Sequence, residues 1–305
     1  MADVAYNGAD ITDESAMVSC VHEMHAWGAL ESLTVVFDDD DGSWRSWHPA
    51  VGDTVEVSDG AATTGAMRVV AATYGASTFK VRALAAPAGM LEERRRSWES
   101  VRLSQLIAQV AAECGLAAEM HGVDDRLYGR VDQAGIDDAR FLAARLDLEG
   151  ACMAVHGGTL AVYGARWAEE REPALPLTVA HGQLCELRSR ARVPYGACRV
   201  VSGTVEGIYR ASDGPTLTCR PGIAVTDSGE AVRFARNLLR KSRREERIAI
   251  VHADEVLQAM APGVSIDLEA DGMDEWSGRA VVAHLRHDYV AEKSKAWLAM
   301  ALGGL

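Results

Sequence analysis

The sequence predicts an α+β protein, mainly β, in which two related small β-barrels flank an α/β insertion. Three observations carry this expectation. Apolar residues alternate with period two near both ends, amphipathic helical stretches lie between, and three glycine-bounded segments occur twice along the chain. With 305 residues there is room for two or three packed domains.

Residues 1–86 read as the first β-barrel. Leu33, Val35 and Phe37 alternate with Thr34 and Val36 before the acidic run Asp38 to Asp41 and Gly42. Val51 to Val57 alternates again, Asp59-Gly60 supplies a turn, and Met67, Val69, Ala71 and then Phe79, Val81, Ala83 continue the pattern. Residues 87–100 hold Glu92-Glu93-Arg94-Arg95-Arg96 without apolar periodicity and read as a charged linker. Residues 101–165 read as an α/β domain. Leu103, Leu106, Ile107, Val110 and Ala111 fall on one helical face, with Ser100 as cap and Gly115 as stop. A second helix starts at Asp137-Asp138 and turns Phe141, Leu142 and Leu146 inward. Strands Cys152–Val155 and Thr159–Tyr163 follow, joined by a His156-Gly157-Gly158 turn.

Residues 166–225 read as a β-rich connecting region. Residues 226–305 read as a helix, capped by Ser228 and carrying Ala231, Val232, Ala235, Leu238 and Leu239, followed by the second β-barrel. The repeat supports that last assignment. Gly52–Val57, Gly65–Ala71 and Lys80–Leu84 match Gly263–Leu268, Gly278–Ala283 and Lys295–Met300 in the same order. A trimer of such chains presents six similar units to a partner of sixfold symmetry.

Several function classes are disfavoured. A net charge of −13 opposes the phosphate attraction behind most nucleic-acid binding. Six cysteines lack any C-x-x-C pair and read as reduced, mostly buried thiols. No apolar run approaches the roughly 20 residues of a membrane helix, and the first residues lack a signal-peptide pattern, so the chain is expected to fold where it is made or to leave by a route that needs no signal. His22-Glu23-Met24-His25 falls one residue short of H-E-x-x-H, and on a strand its two rings point to opposite faces. His284 to His287 fails as a metal pair for the same reason. Asp38 to Asp41 lacks EF-hand spacing and reads as a solvated turn. There is no G-x-S-x-G, Walker loop or G-x-G-x-x-G, so neither catalytic residues nor a cofactor are assigned.

Candidate interface residues come from three sources. Trp44 and Trp47 flank Arg45 in a turn-rich stretch and are either core residues at a barrel mouth or an interface. Val55, Val57, Val264 and Ile266 sit on the repeated strands, where edge pairing and apolar contact are expected. Arg240 and Arg244 belong to a basic run from Arg233 to Arg247, interrupted by Glu245 and Glu246, that reads as a solvated helix end or a salt-bridged subunit surface.

The segments Val101–Ile107, Cys114-Gly115-Leu116, Val131–Leu146 and Gly150–Val155 resemble the late control gene D family of contractile phage tails. Ala231–Leu239, Pro262-Gly263-Val264, Trp276 to His287 and the opening Tyr6 to Ile11 extend that resemblance, which puts Trp276 among the interface candidates. The family consists of baseplate hub proteins similar to the hub-like part of VgrG. The resemblance implies a ring-forming trimer with two β-barrels per chain, a homotrimeric, pseudo-sixfold adaptor between a hexameric tail tube and a trimeric central spike. The spike is expected to be a separate polypeptide, because the chain ends at Leu305. The resemblance further implies contact with a tape measure protein, no membrane insertion, DNA only in transit through the lumen, and a place in the virion baseplate after assembly in the host cytoplasm. An acidic channel lining would keep that passage from binding DNA. A tail-associated peptidoglycan hydrolase and a carbohydrate-binding module are the alternatives from other classes.

Overall fold

The computed structural model describes residues 2–28, 30–180, 185–189 and 193–303. The alternating segments of the first half become β1 (Asp3–Tyr6), β2 (Ala9–Asp10), β3 (Met17–His25), β4 (Ser32–Asp38), the short helix α1 (Ser43–Trp47), β5 (Thr54–Asp59), β6 (Ala62–Thr63), β7 (Met67–Tyr74) and β8 (Thr78–Leu84). Leu33, Val35, Phe37, Val55, Val57, Met67, Val69, Phe79 and Val81 are fully buried together, because alternate residues of a strand share a face. Trp44 closes this core, its ring 4.3 Å from Phe37 and 4.8 Å from Phe79. The acidic run is a turn whose buried Asp39 accepts a 2.8 Å hydrogen bond from the Trp44 amide and so seats that ring.

The insertion comprises β9 (Glu93–Arg102), α2 (Leu103–Glu113), β10 (Ala117–His121), β11 (Leu127–Asp137), α3 (Asp138–Glu149), β12 (Ala151–His156), β13 (Thr159–Gly164) and α4 (Ala165–Glu170). The charged stretch expected to be a linker is therefore mostly strand. Its partner β11 pairs with it from Glu93 to Arg102, and its arginines are matched by carboxylates: Arg94 to Glu113 at 2.7 Å and Arg96 to the buried Asp138 at 2.6 Å. A strand that satisfies its charges on a partner needs no apolar alternation. Because β9 runs to Arg102, Ser100 does not cap α2; the Ser104 amide is instead met by Asp125 at 2.9 Å. Asp137 caps α3 as expected, accepting from the Arg140 amide at 2.8 Å, and Gly150 ends the helix with φ +68°. Replacing Asp137 by Ala is expected to cost about 1 kcal/mol of stability, measurable by urea denaturation. Gly157 and Gly158 both take positive φ in the turn joining β12 to β13.

The remainder holds β14 (Leu175–Val179), β15 (Cys185–Ser189), β16 (Ala197–Ser202), β17 (Val205–Arg210), β18 (Thr216–Cys219), α5 (Ser228–Arg243), β19 (Arg247–Ala253), β20 (Ser265–Ala270), β21 (Gly278–Asp288) and β22 (Lys293–Met300). Strands β16–β18 make a small sheet under α5, packed through Phe234, Ala231 and Leu239. The helix lies so close to Gly207 that a Cβ there would meet the Val232 nitrogen at 2.4 Å. Asp227, not Ser228, caps α5, accepting from the Glu230 amide at 2.9 Å while Glu230 reaches back to Thr226.

The two expected barrels are not separately closed. Fourteen strands form one open sheet with the order β15-β19-β22-β21-β3-β4-β8-β7-β5-β1-β2, and β14, β20 and β6 branch from it. The physical reason is the antiparallel pairing of β21 with β3. Each half uses the other to satisfy an edge that a closed barrel would have to satisfy on itself. Two apolar cores lie along this sheet, one around Leu33 and Phe79, the other around Ile266, Val282 and Leu298.

Candidate interaction site

The repeat read in the sequence is a repeat of hydrogen-bond register. Strands β3, β4, β8, β7 and β5 have counterparts β15, β19, β22, β21 and β20, neighbour for neighbour. Val55 pairs with Met67 as Ile266 pairs with Ala280, and Val69 pairs with Ala83 as Val282 pairs with Leu298. A bulge interrupts the ladder between Val69 and Ala71, and again between Val282 and His284. The turns agree as well. The Gly52 amide donates to Val69 O at 2.9 Å and the Gly263 amide to Val282 O at 2.9 Å, while Val69 and Val282 donate back to Asp53 O and Val264 O.

The seam between the halves is the pairing of β21 with β3, with His284 opposite His25, Leu285 opposite Met24, Arg286 opposite Glu23 and His287 opposite His22. On one face His25, His284 and Trp297 stack, with neighbouring ring centroids 4.1 Å apart. Together with Ile250 and Glu186 they form one row across five strands, under a cleft of about 280 Å³ that Trp27, Arg188 and Glu245 complete. On the other face His287 and His22 are buried, His287 Nδ1 lying 2.7 Å from Ser294 Oγ and His22 Nε2 3.6 Å from Glu31. As the strand geometry required, His22 and His25 do not converge on a common point. Burial holds the His284 imidazole down to about 4, helped by the charges of His25, Arg286 and Lys295. Burial, with His22 beside it, does the same to His287, again to about 4. The hydrogen bond to Glu31 raises His156 instead, while Glu31 is lowered because its bonds from His156 and His22 outweigh its burial.

Among the strands that keep an outer edge with no partner strand among the described residues are the distal half of β7, β15 and β14. Trp47, Val51 and Tyr74 are exposed by 45%, 63% and 42% at the first edge, where Tyr74 Oη donates to Pro49 O at 3.2 Å and Arg45 donates to Gly75 O at 2.6 Å. Trp44 is buried beneath them.

Of the apolar residues that the sequence marks for contact, therefore, Trp47 alone is exposed. Val55, Val57 and Ile266 are fully buried, Trp276 is 6% exposed beneath the Arg247 guanidinium, and Val264 packs at the margin of the second core. The basic run of α5 is occupied inside the chain. Arg233 pairs with Glu149 at 3.0 Å, Lys241 with Asp147, and Arg240 with the buried Glu169 at 2.5 Å, while Arg244 stacks on Trp27 at 4.4 Å. Sequence reasoning missed Tyr74, Val51 and β15 as edge residues; only the repeat, followed through its strand order, points to them.

No protein-family model matches the sequence, and no curated protein matches it. Among solved structures, the 43 kDa tail protein of prophage MuSo2 from Shewanella oneidensis is similar with a TM-score of 0.75 at 10% identity, covering 98% of this chain and 98% of that one. A tail protein from Neisseria meningitidis gives 0.74 at 12%, covering 98% and 96%. The Escherichia coli c3393 protein, a component of the type VI secretion system with structural similarity to the phage T4 tail proteins gp27 and gp5, gives 0.65 at 12%, covering 98% and 77%. The fold is thus shared with these two phage-tail proteins and this type VI secretion component.

Proposed function

We propose that this chain is a structural baseplate hub, a homotrimeric adaptor that joins a hexameric tail tube to a trimeric central spike in a contractile tail or injection particle. The carrying observation is the register repeat, which puts two copies of one strand module edge to edge in every chain. Three chains supply six modules, the number a sixfold tube can match, while the α/β insertions occur only three times, the number a threefold spike can match. Tail tube, spike and tape measure proteins are the partners this reading names, and the virion baseplate is its location. The similar tail proteins support a structural role over the hydrolase and carbohydrate-binding alternatives.

The polar face of the sheet is mixed in charge. Lys80, Arg82, Arg286 and Lys295 interleave there with Glu23, Glu186 and Asp288. Arg286 faces Glu23 across the seam, so its charge is partly offset.

The test is the native mass of the chain co-expressed with its cognate spike protein, with class averages of the particles. A complex of three chains with ring-shaped views is expected. A chain that stays monomeric beside the spike, or that clears a peptidoglycan zymogram, overturns the reading.

A further inference from the structure

We infer that Cys198 and Cys219 are a reactive dithiol, which closes to an intrachain disulfide by exchange with a small-molecule disulfide such as oxidised glutathione. The inference goes beyond the hub reading and stands on the small sheet under α5 alone.

Parallel pairing sets β18 beside β16, with Cys198 opposite Leu217 and Val200 opposite Cys219. Alternate residues of a strand share a face, so Cys198 and Cys219 are diagonal neighbours on the side that α5 covers, in one core with Phe234 and Leu239. Their sulfurs lie 4.0 Å apart. The other four cysteines lie elsewhere. Cys20 is in the first core and Cys185 at the margin of the second, while Cys114 meets Asp138 at 3.9 Å and Cys152 meets Arg244 at 3.6 Å.

The two thiols differ as exchange requires. Cys198 is fully buried, whereas Cys219 is half-buried at the last position of β18, where a reagent in solution reaches it. The Cys198 thiol donates to the Cys219 sulfur, which favours the thiolate on Cys219; the charge of Lys241 acts in the same direction, and together they outweigh burial and lower that thiol. The same contact and burial raise Cys198. The attacking species is the thiolate, so Cys219 goes first. Its sulfur attacks one sulfur of glutathione disulfide, that S–S bond breaks, and one glutathione leaves as a thiolate that takes up a proton. Cys198 then gives up its proton, and its sulfur attacks the Cys219 sulfur of the mixed disulfide and expels the second glutathione, which is protonated in turn. Two protein thiols are oxidised and one disulfide is reduced to two thiols.

Closing the bond brings the sulfurs from 4.0 Å to about 2 Å, so one strand has to give. Strand β18 is placed to do so. It has four residues, lies at the edge of its sheet, and is flanked by Gly214 and Gly222, both at positive φ. The covalent loop from Cys198 to Cys219 contains β17, so the cross-link ties all three strands beneath α5.

The experiment equilibrates the parent chain in glutathione buffers from reducing to oxidising, quenches it with acid, alkylates it in denaturant and maps the peptides by mass. The alkylatable thiols are expected to fall from six to four, with Cys198 and Cys219 joined and no glutathione retained on either. Cys198→Ala is expected to stop at the mixed disulfide of Cys219 with glutathione, and Cys219→Ser to leave Cys198 reduced. The parent decides the matter even where a variant does not fold. Six alkylatable thiols in the most oxidising buffer, glutathione retained on Cys219 beside a free Cys198, or a disulfide to any other cysteine overturns the inference and leaves the hub reading standing.

Discussion

Acidification from pH 7 to pH 5 is expected to destabilise the chain by a few kcal/mol, and the loss is expected to come from the seam. His284 and His287 have folded-state values near 4 against about 6.5 when unfolded. A depressed histidine binds its proton in the unfolded chain first, so stability rises with pH across the window from about 4 to 6.5 and is complete above it. At 1.36 kcal/mol per unit, the roughly 1.5 units of its window crossed by pH 5 make the buried His287 account for about 2 kcal/mol, and solvent screening leaves the half-buried His284 a smaller share. The groups around them set the sign. His284 faces His25 on β3, Lys295 and Trp297 on β22, and Arg286 on its own strand; His287 faces His22 on β3 and Ser294 on β22. Glu31, paired with His156 and His22, lies near enough to offset part of the cost. Urea midpoints at pH 7.5, 6 and 5 check this, with His284→Phe and His287→Gln expected to flatten the slope. A parent chain equally stable at all three values refutes it.

Much of the fold is legible in the sequence because strands announce themselves by alternation. Leu33, Val35, Phe37 and Val55, Val57 mark the first core directly, and the glycine-bounded repeat relates the two halves by residue order alone. What stays hidden are features decided by pairing across long separations. The Glu93–Arg102 strand carries no apolar period, since its stability comes from Asp138 and Glu113 more than thirty and about twenty residues away, respectively. Strand β19 is hard to read because the basic run ending at Arg247 masks the short Ile248, Ile250 alternation behind it. The single continuous sheet is invisible for the same reason, because nothing local in β3 or β21 says that they meet. Apolarity on repeated strands selects the core face, which is why Val55, Val57 and Ile266 are buried; exposed edges are marked by topology, and Tyr74 and Leu187 have no distinguishing composition.

Breaking the buried pair of Arg240 and Glu169 is expected to cost more than any other single polar substitution, about 3–5 kcal/mol for Arg240→Met. Both side chains are almost wholly buried, Arg240 lies 2.5 Å from Glu169 Oε2, and the same oxygen accepts from the Leu302 amide at 2.9 Å. Arg240 also donates to Gly303 O at 3.3 Å. The pair therefore ties α4 and α5 to the segment that follows the last strand, and so holds the small α5 sheet against the second half. Burial already raises Glu169 despite the opposing charge of Arg240. With the guanidinium gone, the carboxylate is left charged and desolvated at neutral pH, and protonating it relieves the penalty. The loss in Arg240→Met, measured against the parent at each pH, is thus expected to shrink on going from pH 7.5 to pH 5, opposite to the trend set by the seam histidines. The double variant Glu169→Leu with Arg240→Met is expected to be more stable than Arg240→Met alone, since it removes the orphaned charge. Equal losses in the single and double variants would mean that the cost lies in packing around the arginine stem, and the ion pair would then have no part in fixing the chain's end.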